Sequence, residues 1–71
     1  MSKPTSDLLS ILQAGGGIAI PATKPTNDLV ELARAAARAG TYLVLKNVQK
    51  PTADCERIAE AGAGHVILEF E

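Results

Sequence analysis

Aromatic residues are scarce in this sequence: Tyr42 and Phe70 are the only two, and tryptophan is absent. Two rings cannot form the stacking platform on which proteins that bind single-stranded nucleic acids lay successive bases. Cysteine and histidine occur once each, as Cys55 and His65. One chain therefore cannot close a disulfide or assemble a standard zinc set. Neither sign of charge dominates. Seven Lys and Arg against eight Asp and Glu leave a formal net charge of −1, without the basic excess of a nucleic-acid binder. Apolar runs are short, and none reaches the roughly 18 residues expected of a transmembrane helix. The polar start, Met1-Ser2-Lys3-Pro4-Thr5, lacks the apolar core and cleavage site of a signal peptide. A cytoplasmic protein with no membrane association, no metal and no cofactor is the expectation.

With 71 residues, a single domain spanning 1–71 is expected. A chain this short buries only roughly 60% of its unfolded surface. Small folds are commonly supplemented by disulfides, metals or oligomerisation. The first two are excluded by composition, so self-association is the expected supplement.

What the sequence does contain is a repeat, the feature to seek first. Lys3-Pro4-Thr5-Ser6-Asp7-Leu8 is followed 21 residues later by Lys24-Pro25-Thr26-Asn27-Asp28-Leu29, and after another 26 by Lys50-Pro51-Thr52-Ala53-Asp54-Cys55. Each segment runs on to an Ala-Gly pair, at residues 14–15, 39–40 and 61–62. Each then passes into a short apolar run: Ile18-Ala19-Ile20, Tyr42-Leu43-Val44-Leu45 and Val66-Ile67-Leu68. Three units result, approximately 3–23, 24–49 and 50–71. The middle unit has four extra residues between Thr and Ala-Gly. That is about one helical turn, so the insertion lengthens a helix without turning its apolar stripe far.

Local chemistry assigns the elements. Proline fixes an extended start. Thr5, Thr26 and Thr52 are N-cap candidates, and Asp7, Asp28 and Asp54 suit the positive end of a helix dipole. Gly15, Gly40 and Gly62 are placed to end each helix in the left-handed region. Leu29, Leu32, Ala33, Ala36 and Ala37 form one stripe on a segment of strong helix formers. The short β-branched runs read as strands. Helices are expected near 5–14, 26–39 and 52–61, and strands near 17–21, 41–47 and 64–70. The order α-β-α-β-α-β implies parallel strands joined by right-handed crossovers. The expected fold is α/β: a small parallel three-stranded sheet with its helices on one face, solenoid-like.

Such a sheet has an uncovered side. Parallel sheets are normally covered on both faces, and here apolar residues occupy both parities of the strands. Val44, Val66, Leu68 and Phe70 are the expected interface residues, and two open strand edges offer further pairing. The expected function is a non-enzymatic protein-interaction or assembly module, with a homo-oligomer or another protein as partner.

A second reading uses Lys3, Lys24 and Lys50. Placed beside three helix N-termini, they would form a rim for anions or the phosphates of a nucleic acid. The Asp in each first turn opposes that reading, leaving nucleic acid a secondary expectation. Gly15-Gly16-Gly17 follows a helix and opens a strand, the reverse of a phosphate loop. Cys55 occupies the slot of Leu8 and Leu29 and reads as a small core residue. With His65 the only base to serve it, no convergent acid–base set is expected and no catalytic residue is assigned.

Overall fold

Six elements alternate along residues 3–70, the part of the chain described by the computed structural model. They are α1 (Thr5–Gln13), β1 (Ile18–Pro21), α2 (Thr26–Ala39), β2 (Leu43–Lys46), α3 (Thr52–Gly62) and β3 (Val66–Leu68). The fold is α/β, with three helices and a small parallel sheet in the order β1-β2-β3.

Each helix starts on its proline. Pro4, Pro25 and Pro51 have φ between −55 and −60° and ψ near 150°. That extended geometry makes proline the half-helical cap residue, and its carbonyl accepts the first helical bond. The carbonyl of Pro4 takes the amides of Asp7 and Leu8, and that of Pro25 takes those of Asp28 and Leu29. The threonines are therefore the first residues inside the helices, not the caps, and none of the three helices has a side-chain cap bond. This corrects the N-cap expectation. A hydroxyl one residue inside the helix points sideways, and the Thr5 and Thr26 hydroxyls reach the neighbouring helix instead.

The helix ends differ in a way that matters for the sheet. α1 closes with Gly15 at φ +97°. The Gly16 amide reaches the Ile11 carbonyl and the Gly15 amide reaches that of Leu12, the paired pattern of a Schellman turn. α2 closes in the same manner, with Gly40 at φ +70°. α3 does not stop before Gly62. It continues through that residue and turns at Ala63, φ +47°. Gly62 is required by proximity: a Cβ there would lie 2.8 Å from Cγ1 of Val66.

The three strands are in register as Ile18, Leu43 and Val66, then as Ile20, Leu45 and Leu68. These two rows face the helices. Leu43 and Leu45 are fully buried, with Leu12, Leu29, Leu32 and Ile58. Ile18, Ile20, Val66 and Leu68 are partly buried and pack against that core. Each fully buried leucine or isoleucine contributes about 1.5–3 kcal/mol of transfer free energy. Cys55 is buried among them.

Candidate functional site

Among the described residues, no helix covers the opposite face of the sheet. Because side chains alternate along a strand, this face is set by the register. Its central row is Ala19, Val44 and Ile67. Ala19 and Ile67 are exposed, Ile67 by 48%, and Val44 is half-buried. Tyr42, 52% exposed, flanks the row at one end. Its ring lies 5.3 Å from that of His65, tilted by 33°. The His65 Nδ1 is 2.8 Å from the carbonyl oxygen of Thr41, which fixes the ring beside the tyrosine. Exposed Pro21 and Lys46 bound the other end.

Of the expected interface residues, Val44 lies on this face. Val66 and Leu68 do not: they stand opposite Leu43 and Leu45 and face the core. Phe70 lies beyond β3 and is 62% exposed. Ile67 is the large residue that the strand assignment alone does not bring beside Val44. The cause is the end of α3. Its continuation through Gly62 delays the strand by one residue, and a one-residue slip exchanges the two faces.

The Lys24 ammonium donates to the carbonyl oxygen of Lys3 at 3.0 Å. The Lys50 carbonyl oxygen is approached by the Cys55 thiol at 3.7 Å. Around them, carboxylates occupy the helix starts. The Thr5 hydroxyl donates to Asp28 at 3.1 Å, and the Thr26 hydroxyl donates to Asp54 at 3.2 Å. Next to the second of these, Arg57 donates to the Asn27 side-chain oxygen at 2.9 Å.

Cys55 and His65 are thus engaged separately, one with Lys50 and the other with Thr41. Among the described residues, no three His, Cys, Asp or Glu side chains gather into a metal-binding group, and no helix is long and apolar enough to cross a membrane. A shallow groove of about 340 Å³ runs between α1 and α2, lined by Leu9, Gln13, Glu31, Arg34, Ala35 and Arg38. It holds both signs of charge and no buried polar group directed into it. Comparison with protein-family models, curated proteins and solved structures returned no match.

Proposed function

We propose that this chain is a non-enzymatic assembly module, built of three helix–strand repeats and self-associating through the bare face of its sheet. The observation that carries the reading is the row Ala19, Val44 and Ile67, flanked by Tyr42, on a parallel sheet whose other side alone is covered. Parallel sheets are normally buried on both sides, and an exposed apolar patch on a small domain is usually an interface.

The chain measures 30 × 28 × 19 Å. Two copies packed face to face would cover both sheets, at the roughly 10 Å spacing usual for stacked sheets. Tyr42 and His65 would then lie at the rim, where amphipathic rings serve well.

Light scattering combined with circular dichroism tests this directly. At low concentration the protein is expected to have the mass of two chains. Ile67→Lys, on the bare face, is expected to yield single chains with unchanged secondary structure. Leu68→Lys, one residue later and facing the core, should unfold the chain instead. A wild-type protein that is folded and monomeric, or an Ile67→Lys variant that remains paired, would refute the reading.

A further inference from the structure

The hydrogen bonds between helices form a series. Thr5 of α1 donates to Asp28 of α2, and Thr26 of α2 donates to Asp54 of α3. Thr is the first helical residue and Asp the third in every helix, so both bonds join equivalent positions of consecutive units. Two members of the series are left over, one at each end of the molecule. Among the described residues, Asp7 accepts no such hydroxyl and Thr52 donates to no such carboxylate. Both are exposed, whereas Asp28, Asp54, Thr5 and Thr26 are half-buried.

The apolar residue one turn after each Asp repeats the pattern. Leu32 and Ile58 follow Asp28 and Asp54 by four residues, and both are fully buried. Ile11 follows Asp7 by the same interval and is 36% exposed. The outer side of the first unit therefore presents the same acceptor and the same apolar residue that the second and third units use. The outer side of the third unit presents the matching donor.

The sheet edges agree. The amides of Ile18 and Ala22 are spent on β2. In a parallel ladder, that parity directs the amide and carbonyl of Ala19 away from the sheet. At β3 the amide of Glu69 and the carbonyl of His65 are spent on β2, which leaves Val66 and Leu68 facing outward. Continuing the internal register would set Val66 against Ile18 of a second copy.

We propose that copies of this chain also stack end to end, α3 and β3 of one against α1 and β1 of the next. The contact continues the interface that the chain already makes twice within itself, and the inference rests on the repeat reading above. Thr52 would donate to Asp7 of the next copy, and Ile11 would be covered as Leu32 and Ile58 are.

Two residues make this contact weaker than the internal ones. Pro21 has no amide to offer at the open edge. Glu56 stands where α1 and α2 place Leu9 and Val30, both of which pack against the core. The joint is heterologous, so it propagates instead of closing on two copies.

The test is the average mass at high protein concentration, by sedimentation equilibrium. For the wild-type chain it is expected to keep rising past two copies, without a plateau. Glu56→Leu restores the apolar residue of the other units and should shift that rise to lower concentration by tenfold or more. Ile11→Lys should abolish the rise while leaving the face-to-face pair. Ile67→Lys should do the reverse, removing the pair and leaving the end-to-end growth, so failure of one mode is read separately from failure of the other. A mass that never exceeds two chains would overturn the proposal, as would growth indifferent to both Ile11→Lys and Glu56→Leu. If Ile11→Lys lowers the helical signal, Glu56→Leu decides the matter alone, since Glu56 is exposed.

Discussion

Gly62 and Gly40 occupy matching places in the sequence for different physical reasons. Gly40 supplies a left-handed turn at φ +70°. Gly62 is helical and buried, and lets α3 pass close to Val66. Gly40→Ala therefore meets backbone strain, while Gly62→Ala meets a side chain. The second substitution gains helix propensity, by about 1 kcal/mol, but forces the new methyl against Val66, and overpacking typically costs about 1–3 kcal/mol. Urea unfolding of Gly62→Ala is expected to show a net loss of stability. The loss should shrink when Val66 is first replaced by Ala; an equal loss in both backgrounds would show that Val66 is not the obstacle. The left-handed duty at this helix end falls to Ala63, a residue whose type gives no sign of it.

At the scale of elements, Thr5 and Thr26 join neighbouring helices where capping of their own helix was expected. Each hydroxyl satisfies the carboxylate of the next helix, which already sits favourably near a helix start. A double-mutant cycle between Thr26→Val and Asp54→Asn should give a coupling of about 0.5–1.5 kcal/mol, the net worth of an ordinary hydrogen bond. Additive effects would mean that the bond contributes nothing in solution.

The element order and most helix limits were legible because proline, aspartate and glycine mark them chemically. The expected ranges 5–14, 26–39 and 52–61 differ from the observed helices by a residue at most. The strand faces were less legible. Counting three residues from each glycine aligns Ile18, Leu43 and His65, whereas the true third partner is Val66. Proximity to Val66 and the turn at Ala63 produce that difference, and both are tertiary facts. Val44 lies on the bare face because it alternates with Leu43 and Leu45, which face the helices. Ile67, the bare-face neighbour of Val44, was exchanged with Val66 and Leu68 by the slip.

For the whole molecule, stability and association are expected to be linked. A partner that binds only the folded chain stabilises it by mass action. The melting temperature of the wild-type protein should therefore rise with its concentration, and that of Ile67→Lys should be flat over the range where only face pairing operates. A wild-type midpoint independent of concentration would separate folding from assembly. Within one chain, α2 lies between α1 and α3, and β2 between β1 and β3; among the described residues neither α1 nor β1 lies against α3 or β3. Removing either outer unit strips the centre on one flank, whereas loosening the centre disconnects everything. Opening of the fold is thus expected to have a direction, fraying inward from both flanks, and hydrogen exchange should find the backbone amides of α2 and β2 the last to exchange with solvent.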